Sequence, residues 1–426
     1  MTEHKTPVEA RSEQTPQLVP LSRNRDFILL WTGQLSSVLG SQMAYVAYPL
    51  LVLAITGSPV LAGVVGTARA LPQWILGLPS GYFADRWDRR TLMLTCDLVR
   101  LVAVTSLVVG LLTGVLSFPW IVVVVVVDGC CAVLFSPAEV GALRHVVPAG
   151  QLKAASARNE AREYGAMLAG PPLGGSLMTV SPALPFVGDA ISYLVSFISV
   201  FLIRTKFRTA PVERENVGSL FRGMGDGLRW LARQRFLRAS LVMVAATNLL
   251  GSSMTIVFVV VGRELGASTA AVGTAMTVAG IGGLLGSFAA AALAQRIPAS
   301  WVVLGFPWVW AALLPLMLIA GNVVLMAVVF GLMLAAAPLW NAVLSTYRIV
   351  LVPDELQGRV DSACRFVSQS VSPLGPLLAG VLLEYLGTTP TLLAMCGWLL
   401  VVSIAGTLAP VLRRPPVLLD DPAPAS

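Results

Sequence analysis

An aspartate ends a long run of valines. Asp128 follows Val122–Val127 and lies ten residues, about 15 Å, beyond Phe118 at the predicted start of a helix. A carboxylate at this depth in a membrane-spanning helix is costly, and such groups are neutralised, paired with a cation or exposed to water. Two interpretations follow: Asp128 binds a proton or cation, or it is a buried acid paired with an internal arginine that fixes helix packing.

Other charged residues in apolar segments come in groups of opposite sign. Asp97 and Arg100 are three residues apart, a spacing that puts both side chains on one helix face and predicts an ion pair. Glu160, Arg162 and Glu163 form a second group, and we expect most of these residues to form structural pairs. Glu160 and Glu163 are the next candidates for proton binding. Three further charged residues lie in predicted helices: Arg69, Asp189 and Arg365.

The residue types needed for metal binding or hydrolytic catalysis are scarce. The five cysteines include no CxxC pair, and the two histidines are His4 and His145. We therefore expect no metal site and no bound cofactor, and without a Ser/His/Asp constellation the chain is not expected to be an enzyme. The sequence has no glycine-rich phosphate-cradling loop with the Lys and Ser/Thr of nucleotide-binding proteins, so nothing favours an ATP-driven pump.

The composition decides where these residues must lie. Of 426 residues, 56% are hydrophobic and 12% are charged, too few charges to cover a soluble domain. Apolar runs of about 20 residues, the length that crosses a bilayer, recur along the chain. This predicts an all-α polytopic membrane protein with twelve transmembrane helices in two pseudo-symmetric six-helix bundles. The predicted divisions are a disordered cytoplasmic tail (1–22), an N-terminal bundle (23–204), a cytoplasmic linker (205–238), a C-terminal bundle (239–412) and a cytoplasmic tail (413–426).

Basic residues divide unequally between the two sides of the predicted bundle. One side receives nearly all the arginines, and the other has only Arg263, beside Glu264. Because basic loops stay in the cytoplasm, this asymmetry places both termini and the linker there, in a multi-pass protein of the cell membrane. The net charge of +7 belongs to these loops and does not indicate nucleic-acid binding. Within the linker, Leu220–Phe236 is amphipathic and is expected to lie as a helix on the membrane surface.

The two halves of the sequence resemble each other. LGSQM at Leu39–Met43 recurs as LGSSM at Leu250–Met254, and GPPLGG at Gly170–Gly175 recurs as GPLLAG at Gly375–Gly380. Both pairs are separated by roughly two hundred residues, the pattern of a duplicated six-helix unit.

A charged stretch, GYFADRWDRR, falls in the predicted turn between spans 2 and 3. It resembles the G-x-x-x-D-R-x-G-R-R signature of the major facilitator superfamily, with Asp88 in place of the second glycine. Aspartate tolerates the left-handed conformation that such a turn glycine adopts. The matching residues are Gly81, Asp85, Arg86, Arg89 and Arg90.

Other stretches narrow the resemblance to the drug:proton antiporter group that includes macrolide-efflux and enterobactin-export proteins. They are ALPQWILGLPSGYFADR in span 2, VGDAISYLVSFISVFLIR in span 6 and LVPDELQGRV before span 11. AMLAGPPLGG resembles the antiporter motif of span 5, which implies that this region resists leakage while the halves rock. The motif residues are Gly170, Pro171, Gly174 and Gly175. Two residues depart from the group: Val125 lies near the place of the span-4 arginine of many proton antiporters, and Ser41 stands where many relatives have an aspartate.

The resemblance implies a conformational latch at the turn between spans 2 and 3. In the superfamily this turn meets span 11, which begins here near Arg359–Asp361, and joins the halves while the cytoplasmic side is closed. We expect Gly81 to admit a neighbouring helix, and Arg89 and Arg90 to pair with Asp85 and Glu139. With Arg86 these residues form the predicted latch; the alternative is that the arginines are solvated and only orient the chain.

The superfamily also lines a central cavity with spans 1, 4, 7 and 10. A mostly apolar cavity with a few hydrogen-bonding groups suits a bulky amphiphile. Polar and aromatic residues at depth are the candidates, each of which could equally be interhelical packing: Gln34, Gln42, Asn248, Trp340 and Asn341.

These features together predict secondary active export of a hydrophobic or amphipathic small molecule, such as a drug, antibiotic or siderophore-like compound. Inward proton flow would drive export by alternating access of the two halves. The expected partners are the lipid bilayer, the small-molecule substrate and protons, and the chain is expected to act as a monomer. Uptake or facilitated diffusion by the same fold is the alternative, and a membrane-embedded enzyme or a non-transporting receptor is a third.

Overall fold

The computed structural model describes residues 20–77, 79–205, 207 and 217–416. Within these ranges every regular element is a helix, which confirms the predicted all-α class. Most of the predicted N-terminal tail (1–22), part of the linker (205–238) and most of the C-terminal tail (413–426) lie outside the described residues.

Six spans make up the first half. They run alternately between two faces of the molecule, and span 1 starts at the face where the described chain begins. Their bounds are span 1, Arg25–Thr56; span 2, Pro59–Leu76 continuing as Ser80–Arg86; span 3, Arg89–Thr113; span 4, Phe118–Val146; span 5, Leu152–Val180; and span 6, Leu184–Leu202.

A linker helix, Val217–Arg233, precedes the second half. It contains much of the predicted amphipathic stretch, and Gly227 packs closely on the backbone of Arg359 at the start of span 11. The spans of the second half are span 7, Arg235–Glu264; span 8, Thr269–Ala294; span 9, Ala299–Leu313 with the 3-10 turn Leu314–Met317; span 10, Val323–Leu351; span 11, Gln357–Gln369 and Leu374–Leu386; and span 12, Thr388–Leu408.

Ten candidate spans are long and apolar enough to cross a membrane by length and composition alone. The two further helices are spans 2 and 5. Span 2 is interrupted around Gly77 and Pro79, and span 5 carries a charged first half. With these two, the helices match the predicted twelve.

The turn between spans 1 and 2 illustrates how local sequence sets the helix ends. Gly57 adopts φ +66° and ends span 1, since a glycine takes the left-handed conformation without steric cost. The Ser58 side chain then accepts a hydrogen bond from the N–H of Leu61 at 3.2 Å, and Pro59 occupies the first helical position. Gly57, Ser58 and Pro59 therefore end one helix and start the next within three residues.

The halves meet through two symmetry-related helix pairs: span 5 with span 8, and span 11 with span 2. At each contact a glycine lies so close to the facing helix that a carbonyl oxygen occupies the place of a side chain. The four contacts are Gly175 on Thr269, Gly273 on Pro171, Gly380 on Pro59 and Gly63 on Pro376. The repeated GPPLGG and GPLLAG segments therefore form equivalent halves of one interface.

These contacts lie toward one face of the molecule. We call the face at which spans 1 and 7 begin the terminal face, because the described chain begins and ends there, and the other the opposite face. Near the opposite face the Ser58 hydroxyl donates to the Glu384 carboxylate, and deeper inside Thr67 donates to the Pro373 carbonyl at 2.6 Å. Thr277 likewise joins span 8 to the Leu168 carbonyl of span 5 at 2.8 Å. The halves are thus closed toward the opposite face.

Candidate central cavity and its buried charges

A cavity of about 620 Å³ lies between the two halves. Spans 1 to 5 and spans 7, 8 and 10 contribute to its walls. Gln34 and Gln42, both predicted for the cavity, line it, and Glu139 and Glu163 lie at its end toward the terminal face. Apolar groups such as Met167 complete walls that combine apolar surface with a few hydrogen-bonding side chains.

A second chamber of about 350 Å³ adjoins the first, between spans 1, 2, 7 and 11. Tyr45, Arg69 and Thr255 line both spaces. The hydroxyl groups of Tyr45 and Thr255 are 2.7 Å apart, so a hydrogen bond between the halves separates the two chambers.

Asp128 is buried behind the cavity wall, with 2% of its surface exposed. Its Oδ1 accepts hydrogen bonds from Arg100 Nε and from the Tyr193 hydroxyl, both at 2.8 Å, and its Oδ2 lies 3.5 Å from Arg69 Nη1. Of the two interpretations of this residue, these contacts match the buried acid paired with internal arginines. Its role in proton binding stays a prediction.

The two departures from the antiporter pattern meet at this network. The Ser41 hydroxyl lies 3.1 Å from Arg100 Nη2 and 3.1 Å from the Tyr193 hydroxyl, in the position on span 1 where many relatives have an acid. Val125 is fully buried, and the arginines around Asp128 come from spans 2 and 3. The chain thus has a span-4 acid held by cations on neighbouring spans.

The predicted ion pair between Asp97 and Arg100 is wrong. Arg100 reaches across to span 4 and binds Asp128, because its guanidinium stacks over the Tyr193 ring at 4.1 Å and points away from its own helix. Asp97 instead accepts a hydrogen bond from Ser196 on span 6 at 2.7 Å. Ser196 in turn accepts one from Gln34 at 3.0 Å.

The predicted partner of Glu139 also differs. Glu139 lies 2.9 Å from Arg162 Nη1, and Arg162 also binds Glu163 at 2.8 Å, so spans 4 and 5 are joined beside the cavity. Arg162 is 4% exposed and lies between the two acids. Glu160 is exposed.

At the terminal face, the described part of the turn between spans 2 and 3 is open beside Gly81, a residue of the predicted latch. A side chain added at Gly81 would meet nothing within 4 Å, so the expected close approach of a neighbouring helix is absent in this state. Arg86 stacks on the Tyr82 ring at 4.4 Å, and Arg90 donates to the Phe201 carbonyl of span 6. Arg89 lies against Gly141 of span 4, and the Asp85 side chain lies outside the described residues.

Asp88, in the place of the signature's second glycine, does not adopt the left-handed conformation. Its φ is −58°, and its Oδ1 accepts hydrogen bonds from the N–H and the hydroxyl of Thr91 at 2.8 and 2.9 Å. Aspartate fits here because it caps the N-terminus of span 3.

The span-5 motif forms a close contact with two other helices. Gly170 and Gly174 pack on the backbone of span 1 at Gln42 and Met43, and Gly175 packs on span 8. Pro171 lies at the contact with Gly273, inside a helix that continues from Leu152 to Val180. The motif therefore brings spans 1, 5 and 8 into backbone contact beside the cavity.

Three of the five cavity candidates do not line the described cavities. Asn248 donates to the Ser368 carbonyl of span 11 at 2.8 Å. Trp340 is buried and stacks on Phe306 with ring centroids 4.2 Å apart, so it packs spans 9 and 10 together. Asn341 is exposed on span 10.

Sequence reasoning gave no role to several residues at the site. Tyr193 and Ser196 connect the buried acids to span 6, and Arg69 lines both chambers. Arg69 was detectable as a cation in an apolar segment. For Tyr193 and Ser196, the sequence of the apolar span 6 does not indicate which residues of other spans their hydroxyl groups contact.

Within the described ranges, no group of three or more His, Cys, Asp and Glu side chains could hold a metal ion. The five cysteines are free thiols.

Comparison with known proteins agrees with the fold. A family described as transmembrane secretion effector matches residues 15–415. An uncharacterised transporter of the major facilitator superfamily type from Bacillus subtilis, YfiS, is 29% identical over 90% of this chain and 93% of its own. The multidrug efflux pump Tap of Mycolicibacterium fortuitum is 26% identical over 91% of this chain and 96% of its own. Macrolide efflux protein A of Streptococcus pyogenes is 21% identical over 85% of this chain and 90% of its own.

Two solved structures share the fold at low identity. A bacterial homologue of the lysosomal transporter Spinster, inward-facing and occupied, superposes with a TM-score of 0.71 at 13% identity, covering 94% of this chain and all of its own (100%). A bacterial homologue of the iron transporter ferroportin, inward-facing, gives a TM-score of 0.69 at 16% identity, covering 91% of this chain and 98% of its own. With a family match over nearly the whole sequence, this chain belongs to the transmembrane secretion effector family of major facilitator superfamily transporters.

Proposed function

We propose that this protein is a secondary active efflux transporter that exports a hydrophobic or amphipathic small molecule by proton antiport. The observation that carries the proposal is the central cavity, closed toward one face, lined by mixed apolar and polar groups and flanked by buried acids. The protein acts as a monomer in the cell membrane, with no cofactor and no catalytic activity.

The direction of transport follows from the orientation of the chain. The terminal face carries the turn arginines, such as Arg86, Arg89 and Arg90, and the positive-inside rule assigns that face to the cytoplasm. The cavity then collects its substrate from the cytoplasm or the inner leaflet, and alternating access releases it outside.

The cavity lining supports an amphipathic substrate. Met167, Met276 and Phe330 supply adaptable apolar surface, while Gln34 and Gln42 supply hydrogen-bonding groups. Relatives at identities of 21–26% are named as a multidrug efflux pump and a macrolide efflux protein, which supports export of such a molecule.

Proton coupling is supported by the buried acids of the first half. An acidic side chain within a membrane-spanning segment commonly marks an ion or proton pathway. Asp128 with its arginines and Glu139 with Arg162 lie directly behind or beside the cavity, where substrate and proton binding can influence each other.

The closing step of the cycle would use the predicted latch. Gly81, Asp85 and Arg86 lie at the turn that must meet span 11 when the cytoplasmic side closes. Closure would fill the open space beside Gly81 and open the glycine contacts at the opposite face.

A susceptibility panel tests the function. Cells with and without the protein are exposed to macrolides, dyes such as ethidium and siderophore-like compounds, each with and without a protonophore. We expect raised resistance to at least one amphipathic compound and its loss on uncoupling. Proteoliposomes with a defined orientation then measure direction: accumulation along the substrate gradient regardless of the proton gradient indicates facilitated diffusion, and binding without flux indicates a receptor.

A further inference from the structure

The buried charges of the first half do not balance. Asp128 and Asp189 share the environment of Arg69 and Arg100, which interact electrostatically with both acids. Glu139 is paired with Arg162 at 2.9 Å. Asp97 and Asp189 both lack a cation within 4.0 Å, and each has one carboxylate oxygen without a hydrogen-bond partner among the described residues. Asp97 is the one that accepts a hydrogen bond from Ser196, which Gln34 of the cavity wall also contacts.

Asp97 has no exposed surface, at 0%. No lysine, arginine or histidine nitrogen within the described ranges lies within 4.0 Å of its carboxyl group. Its Oδ2 accepts one hydrogen bond, from Ser196, and its Oδ1 has no hydrogen-bond partner among the described residues. An ionised carboxylate in such a site loses its hydration without compensation, whereas a neutral carboxylic acid needs far less solvation.

The groups that face Asp97 do not supply the missing charge. Arg100 on the same helix and Glu139 on span 4 act on it with opposite signs. The thiols of Cys96 and Cys131 contact each other next to it, on spans 3 and 4. From span 6 it receives only the Ser196 hydroxyl. The site therefore suits the protonated form.

A hydrogen-bonded chain connects this acid to the cavity. Gln34 Nε2 donates to Ser196 Oγ at 3.0 Å, and Ser196 Oγ donates to Asp97 Oδ2 at 2.7 Å. Gln34 also lines the cavity wall. A ligand that accepts a hydrogen bond from the Gln34 amide competes with Ser196 for that donor. The hydrogen bond between Gln34 and Ser196 is then lost, and the Ser196 hydroxyl is less firmly oriented toward Asp97.

We propose that Asp97, rather than Asp128, carries the proton that is exchanged for substrate; this inference rests on the proton antiport proposed above. With the cavity open to the terminal face, Asp97 is a neutral carboxylic acid. Substrate binding at Gln34 frees Ser196, water enters from the cavity, and the Asp97 O–H bond breaks to give a carboxylate and a hydronium ion that leaves through the terminal face. Asp97 takes up a proton again when the cavity faces the opposite side, while Asp128 keeps its arginines throughout.

Infrared difference spectroscopy of the purified full-length protein tests the protonation state without any substrate. A protonated carboxylic acid has a carbonyl stretch separate from that of carboxylate, and the band shifts in D2O. We expect this band in the wild type, its loss as the pH is raised, and the loss of part of it in Asp97→Asn. Asp189→Asn shows what the other buried acid without an ion pair contributes. The matched control is Asp361→Asn, a half-exposed acid paired with Arg365, which should leave the band in place. Persistence of the whole band in Asp97→Asn overturns the proposal.

Transport by proteoliposomes tests the coupling, with ethidium and radiolabelled erythromycin as probes. In Asp97→Asn we expect loss of accumulation driven by a pH gradient, while exchange of labelled for unlabelled probe across the membrane is kept, because exchange needs no net proton movement. Ser196→Ala should shift the pH at which accumulation is half-maximal. Gradient-driven accumulation at the wild-type rate by Asp97→Asn contradicts the proposal.

The outcomes separate this inference from the function it rests on. A wild type that shows the Asp97 band but no response to a pH gradient overturns proton antiport and leaves Asp97 as a structural acid. If Asp97→Asn does not fold, Asp97→Glu replaces it in both assays. An unchanged infrared titration midpoint in that variant overturns the proposal, since the added methylene moves the acid relative to Ser196.

Discussion

The two halves of this transporter share a scaffold and differ in what they bury. The first half encloses Asp97, Arg100, Asp128, Arg162 and Asp189 at 5% exposure or less. The buried polar side chains described in the second half are all hydroxyls: Ser240, Thr247, Ser253, Thr391 and Ser403. Charged pairs there lie at the surface, as between Arg365 and Asp361 at 2.9 Å.

The helix contacts that close the molecule and the buried ionisable groups are therefore distributed differently between the halves. The glycine contacts of spans 5 and 11 are equivalent in the two halves, so both halves contribute equally to closure. The ionisable groups that could bind a proton deep in the molecule belong to one half. The duplicated unit thus keeps its glycine contacts in both copies, whereas the buried charged residues of the described ranges occur in the first copy.

The largest effect that would test this contrast is expected at Arg100. Arg100→Met leaves Asp128 buried without its nearest cation, a change that costs about 3–5 kcal/mol of unfolding free energy. Thermal unfolding in detergent measures it. The control is Arg365→Met in the second half, whose partner is exposed and whose loss should cost at most about 0.5 kcal/mol.

A double variant sharpens the result. Arg100→Met with Asp128→Leu removes both charges, so we expect stability to recover toward the wild type while transport stays impaired. Equal unfolding temperatures for Arg100→Met and Arg365→Met would show that the buried network contributes no more than a surface pair.

An intermediate effect is expected at the shared gate. Gly175→Ala and Gly380→Ala each place a methyl group against a backbone carbonyl of the other half, which costs about 1–3 kcal/mol in the closed state. Both variants should expose a cysteine introduced at Thr255 to an impermeant reagent from the opposite face, and to a similar degree. Gly397→Ala is the control, since its added methyl meets nothing within 4 Å. Strongly unequal labelling would break the symmetry.

The smallest effect is expected in the apolar half. Trp310 Nε1 donates to the Met333 carbonyl at 2.8 Å, and Trp310→Phe removes this hydrogen bond at a cost of about 1 kcal/mol. We expect a small fall in unfolding temperature and unchanged pH dependence of transport. A shifted pH profile in this variant would place proton-linked behaviour in the second half as well.

The sequence was sufficient for the scaffold because each part of it has a local signal. Apolar runs, turn residues such as Gly57 and Pro59, and the duplicated glycine motif all carry their structural meaning within a few residues. The network of acids has no such signal. The spacing of Asp97 and Arg100 favours a pair, but Arg100 binds Asp128 of span 4, which is distant in sequence.

The cavity shows the same limit. Polar and aromatic residues at depth on the lining spans are the sequence criterion for the cavity. Gln34 and Gln42 meet it and line the cavity, whereas Trp340 meets it and packs against Phe306. Whether a side chain on such a span faces the cavity or a neighbouring helix depends on contacts between helices that are distant in sequence.

The seal between the halves is made by main-chain atoms at Gly175, Gly273, Gly380 and Gly63. These main-chain contacts do not depend on which side chains line the cavity. The lining of the central space can therefore diversify without changing these contacts, and the same gate can serve transporters with different substrates.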